Sequence, residues 1–162
     1  MAPDLPYLPS YKNVEDLFHR IATAEQPEVF TMRFLSHTLG FSSANDGMLI
    51  TLLKRLHFID AARRPTPGYG DLRNPKEAGR AIARAMKGAY EPLFSADPNA
   101  HQLQGRELSG LIAQVAGADA GMTRKIAGTF RSLVRLADFA APSVSPEPEE
   151  DEAAAAIPEG QP

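Results

Sequence analysis

The sequence predicts a mainly α fold: a winged helix-turn-helix with a small two-stranded wing, followed by a C-terminal helical hairpin and a disordered acidic tail. Three observations predict it. Apolar residues recur at helical spacing, between capping and breaking residues, along most of the chain. A short glycine turn joins two of these helices just ahead of a basic turn carrying prolines and flanked by short apolar runs. The last 22 residues hold five prolines, six acids and five alanines, too little apolar surface to offset the entropy of ordering them. The expected divisions are an extended arm (1–12), the winged unit (13–73), a three-helix extension (74–140) and the tail (141–162).

The arm carries Pro3, Pro6 and Pro9, which forbid a helix, with Leu5, Tyr7, Leu8 and Tyr11 between them. Those apolar residues predict an arm packed across the body. Entry into a DNA groove would call for Arg or Lys, and only Lys12 is present. Asn13 is the expected cap of a first helix to about Ala24, whose Val14, Leu17, Phe18 and Ile21 share one face. Thr31 caps a second, with Phe34, Leu35 and Leu39 inward and Gly40 as its stop. Ser42 or Ser43 caps a third to about Leu56. Phe58-Ile59-Asp60 and Tyr69–Arg73 are the expected wing strands, with Ala61–Pro67 as the turn between them. Asn74-Pro75 starts a fourth helix with a narrow small-residue face (Ala78, Ile82, Ala85, Met86, Ala89), broken by Glu91-Pro92. Gly105–Ala116 and Ala120–Phe139 form the hairpin.

At 162 residues the chain suits one core, and its formal net charge of −3 divides unevenly. The six acids after Ala140 face no base there, which leaves 17 bases against 14 acids, or +3, in residues 1–140. The absence of cysteine excludes disulfides, Cys-ligated zinc, iron–sulfur sites and thiol nucleophiles. No signal peptide or membrane span is predicted, so a cytoplasmic location is the default.

The central pattern is Phe34-Leu35…Leu39-Gly40-Phe41-Ser42-Ser43…Leu49…Leu52-Leu53-Lys54-Arg55-Leu56-His57-Phe58-Ile59. Over about sixty residues, Asn13 to Arg73, this order resembles the winged-helix regulators of bacteria and archaea. The third helix is nevertheless a poor reader of bases. Its outer side shows Ala44, Gly47, Thr51 and Lys54, with Arg55 at the flank, and Asp46 nearby repels phosphate. Residues 54–87 suit backbone contact better, with nine bases against three acids. The expected nucleic-acid contacts are Ser43, Asn45, Thr51, Lys54, Arg55, Arg63, Arg64, Arg73, Lys76 and Arg80.

A second resemblance spans nearly everything before the tail. The arm Leu5-Pro6-Tyr7-Leu8-Pro9-Ser10-Tyr11, Leu52-Leu53-Lys54-Arg55-Leu56…Phe58-Ile59-Asp60, Pro65-Thr66-Pro67…Tyr69 and Arg73-Asn74-Pro75…Gly79 resemble a prokaryotic family known only as a domain of unknown function. Gly88-Ala89-Tyr90…Leu93-Phe94, His101…Leu103, Leu108…Leu111 and Thr129-Phe130…Leu133…Ala137-Asp138-Phe139 continue it. The resemblance implies a small, mostly helical body with a winged-helix-like unit and supplies no catalytic residues. It departs at His57, where such turns commonly have Gly.

No active site is predicted. His19, His37, His57 and His101 fall in separate elements with no metal-binding spacing. Gly68-Tyr69-Gly70 lacks the Lys-Ser/Thr of a phosphate loop, and Glu15-Asp16 suits a helix N-terminus. The expectation is a non-enzymatic module without cofactor or metal that contacts double-stranded DNA mainly through its backbone, in a regulatory or accessory role. The alternative is an assembly module that pairs with a second copy or a protein partner through helices 105–139. In a further expectation, the acidic tail competes with DNA for the basic face.

Overall fold

The computed structural model describes residues 4–139, and both Pro3 of the arm and the acidic tail lie outside them. Seven α-helices are formed there: α1 (Val14–Thr23), α2 (Met48–Arg55), α3 (Pro67–Leu72), α4 (Ala78–Ala89), α5 (Glu91–Ala96), α6 (Gly105–Ala116) and α7 (Ala120–Leu136). A π-helical turn at Phe34–Thr38 separates α1 from α2, and a 3₁₀ turn at Ala100–Gln102 separates α5 from α6. The mainly helical class agrees with the sequence.

The two-stranded wing is not formed. Among the described residues there is no strand, only an isolated antiparallel bridge between Ile59 and Pro65. The expected second strand, Tyr69–Arg73, falls largely within α3. The reason is local. Pro65 and Pro67 remove two ladder donors, and Thr66 holds an extended backbone that places Pro67 in the first turn of a helix. Tyr69 and Leu72, three residues apart, are both buried, which is helical rather than alternating spacing. The turn itself is closed by Asp60, whose Oδ1 accepts from the Ala62 and Arg64 amides, both at 2.9 Å. The segment expected to form the wing thus folds as a tight loop and a short helix.

That loop contains two non-glycine residues in left-handed backbone, His57 (φ 62°) and Arg63 (φ 67°). The departure from Gly at His57 therefore falls where a Cβ is sterically costly. Replacing His57 by Gly is expected to raise stability by up to about 1 kcal/mol, because strain relief slightly outweighs the added freedom of the unfolded chain. A rise in the urea midpoint checks this; a fall contradicts it.

The third helix starts later than its serines suggest. Ser43–Gly47 is a turn, and Asp46 points inward at 6% exposure, accepting from the Ser43 amide (3.0 Å) and the Asn13 side-chain amide (3.1 Å). A carboxylate satisfied in this way organises the turn instead of facing solvent. Its buried position corrects the expectation that it repels phosphate from the surface.

A single apolar cluster runs through the body from Leu5 to Leu133. α7 is the organising helix, packing against α6 in the hairpin and also against α1 and α4. Gly117, left-handed at φ 62°, ends α6, and the Asp119 carboxylate caps α7 by accepting from the Met122 amide at 2.8 Å. The arm closes over this core with Leu5 and Leu8 buried. The Tyr90 hydroxyl donates to the Pro6 carbonyl (2.8 Å), and the Leu8 amide donates to Thr129 Oγ1 (2.9 Å). Two arm peptide groups are thereby satisfied where water is excluded.

Candidate nucleic-acid interface

The residues expected from the sequence are dispersed over several elements. Ser43, Asn45 and Thr51 are exposed, and Lys54 is half-buried. α2 buries Leu49, Ile50, Leu52 and Leu53, which leaves little outer surface to enter a DNA groove. Arg55 is committed to the arm, through its Nη2 to the Asp4 carbonyl (2.6 Å) and its Nη1 to the Asp4 carboxylate (3.3 Å). Arg73 donates from Nε to the Ala24 carbonyl (3.0 Å), and Arg80 pairs with Glu77 at 3.7 Å. In the same basic run Arg84 pairs with Asp71 at 3.3 Å. The side chains of Lys54, Arg63, Arg64 and Lys76 make no ion pair or hydrogen bond among the described residues. Lys76 and Arg80 border an apolar cavity of about 410 Å³ with Phe18, Leu72 and Leu136, whereas Arg63 and Arg64 sit on the Asp60 turn.

The structure brings together a different set of cations. Arg124, Arg131 and Arg135 line one open cavity of about 490 Å³ between α6 and α7, with Ser109 and Tyr11. Their positions, together with Gly128, are i, i+4, i+7 and i+11 on α7, so a helix of 3.6 residues per turn sets them in one stripe. α7 contains four bases and no acid. Arg135 is steadied by Glu15 of α1 (2.9 Å) and by Ser132 Oγ (3.4 Å), while the Arg124 and Arg131 guanidinium groups have no partner among the described residues. The apolar positions of the hairpin do not reveal this stripe, because its arginines fall between the buried residues of α7. The signal was present in the seven-residue spacing of Arg124 and Arg131 and in the absence of intervening acids.

Next to the groove, a second cavity of about 200 Å³ is lined by Arg131, Arg135, Phe130 and His101. His101 stacks against Phe139 (4.2 Å between centroids) and Phe94 (6.1 Å), and its Nδ1 is enclosed without a hydrogen-bond partner. Burial, then the nearby Lys87 ammonium, hold its pKa below the ordinary 6.5, with Asp97 pulling weakly upward. Between 6.5 and that lower folded value the unfolded chain binds more protons than the folded one. This part of the stability is therefore complete above pH 6.5 and declines as the pH falls below it. His101→Phe keeps a ring in the stack and removes the titration. The wild-type urea midpoint should fall between about pH 7.5 and about pH 5 more steeply than that of the variant, and equal slopes would refute the assignment.

Among the described residues no group of three or more His, Asp or Glu is placed to hold a metal, and no helix is long and apolar enough to cross a membrane. His19, His37 and His57 are exposed and lie on separate elements.

A family of unknown function matches residues 6–144. The chain belongs to the DUF5343 family. The match extends from Pro6 in the arm through the seven helices, so the α6–α7 groove and Tyr11 both lie within the family region of this DUF5343 chain. Neither a curated protein nor a solved structure was found to match it.

Proposed function

We propose that this DUF5343 protein is a non-enzymatic module that binds nucleic acid through the sugar–phosphate backbone, with the α6–α7 groove as the contact. The observation that carries the reading is the convergence of Arg124, Arg131 and Arg135 on one cleft of a helix that contains no acid. Guanidinium groups match phosphate oxygens in pairs and are more weakly hydrated than ammonium groups, so they surrender water readily to such a ligand. Nothing in the groove supplies the Asn or Gln that reads adenine edges, so its polar contacts are mainly the arginines that suit phosphate. The bases at Lys54, Arg63, Arg64 and Lys76 add positive potential around the body and assist encounter.

The test is anisotropy of a labelled oligonucleotide at low salt, comparing the wild type with Arg124→Glu/Arg131→Glu and with Arg63→Ala/Arg64→Ala. The wild type should bind with a dissociation constant on the order of micromolar, and only the α7 double variant should lose that binding. Absence of binding by the wild type at about 100 μM protein overturns the reading, as does full binding by the α7 variant.

A further inference from the structure

We infer that the α6–α7 groove takes a single strand rather than a duplex, with Tyr11 as the platform on which a base stacks between phosphates held by Arg124 and Arg131. This deepens the backbone-binding reading and rests on it.

Tyr11 reaches the groove from the far end of the chain. The arm is fixed just before it by the Leu8 amide on Thr129 and just after it by the Val14 amide on the Tyr11 carbonyl (3.3 Å). Its ring lies against the bare backbone of Gly128, where any Cβ would collide with three ring atoms. Gly128 lies four residues after Arg124 and three before Arg131, so the ring is seated within the cationic stripe. Tyr69 and Tyr90 are fully enclosed in the core, but Tyr11 remains 38% exposed. An aromatic ring held in place, open to solvent and flanked by guanidinium groups is an arrangement to which an unstacked base can add its π-face.

The shape of the site argues for the same ligand. Duplex DNA is read by elements that protrude into its grooves, such as a helix or a ribbon. Here the cations line a concavity between two helices, and the Tyr11 ring forms part of its wall. Bases in a duplex are stacked on each other and cannot reach such a ring, whereas a flexible single strand can splay a base onto it. Any base offers a π-face, so the stack adds affinity with little sequence preference.

The chain has no tryptophan, so Tyr11→Trp introduces a single indole reporter at the platform. Full-length protein is titrated with a single-stranded oligonucleotide and with a hairpin duplex of the same composition. The single strand should bind about tenfold more tightly or better, and it alone should quench the fluorescence of the introduced indole. Tyr11→Ala should weaken single-strand binding about tenfold, Tyr11→Phe should retain it, and Gly128→Ala, which dislodges the ring, should behave as Tyr11→Ala. Equal or tighter binding of the duplex overturns the inference. So does unchanged single-strand affinity in Tyr11→Ala while Arg124→Glu/Arg131→Glu abolishes it, an outcome that leaves backbone binding intact. Failure of the wild type to bind either oligonucleotide removes the functional reading itself. Should Tyr11→Ala not fold, the quench of the indole in Tyr11→Trp decides alone: its absence at saturating single strand contradicts the stack.

Discussion

Phe130→Ala is expected to cost about 3–5 kcal/mol, a large share of what a domain of this size has to lose. Phe130 is 1% exposed on α7. Its ring meets Tyr90 edge-on (5.0 Å, 82°) and lies beside Phe94 (6.0 Å), so its removal opens a cavity where α7 meets the residues around α5. The effect also propagates to the arm. Tyr90 leans on Phe130 and donates to Pro6, and Thr129 next to Phe130 holds the Leu8 amide. A Tyr90 ring without its neighbour loses the orientation that satisfies the Pro6 carbonyl, and an unsatisfied buried carbonyl carries its own cost of about 1–3 kcal/mol. Phe130→Leu, which fills part of the space, should lose less and leave a folded protein for measurement. Urea denaturation of both variants checks the ranking. A loss below about 1 kcal/mol in Phe130→Ala would show that this aromatic junction does not join the arm to the helices.

Reversing Arg124 and Arg131 together to Glu should weaken nucleic-acid binding about a hundredfold at low salt, with the fold intact. Two attractive phosphate contacts become two repulsive ones, in a groove where the fixed Arg135 cannot compensate for both. Both positions are solvent-exposed on α7, and neither side chain is paired among the described residues, so the substitutions disturb no internal bond. A surface substitution of this type changes stability by about 0.5 kcal/mol or less. The double change Arg63→Ala/Arg64→Ala gives the contrast, because those residues lie on the Asp60 turn and not in the groove.

Much of the body was legible from local periodicity. Val14, Leu17, Phe18 and Ile21 share the buried face that their spacing predicts, and Gly105–Ala116 forms a helix with the expected bounds. The apolar residues of the arm predicted packing, and Leu5 and Leu8 are buried. The wing is absent because Pro67 opens a helix whose Tyr69 and Leu72 bury at helical spacing, a choice that the β-propensity of Phe58 and Tyr69 does not reveal. The fourth helix starts at Ala78, after a turn in which Asn74 Oδ1 accepts from the Lys76 amide. The commitment of Arg55 and Arg73 to intramolecular partners is invisible in the sequence, because Asp4 lies 51 residues from Arg55 and Ala24 lies 49 from Arg73. The groove depends on the same kind of long-range placement. Helical spacing alone aligns the arginines, but only the folded arm carries Tyr11 onto Gly128.

Salt dependence tests the central claim most directly. If Arg124, Arg131 and Arg135 each meet a phosphate of a single strand, the logarithm of affinity should fall against the logarithm of salt with a slope of about −2. In Arg124→Ala/Arg131→Ala one contact remains, and the slope should shrink to about −0.7. A slope near zero in the wild type, or the same slope in both proteins, would contradict backbone binding by the α7 groove.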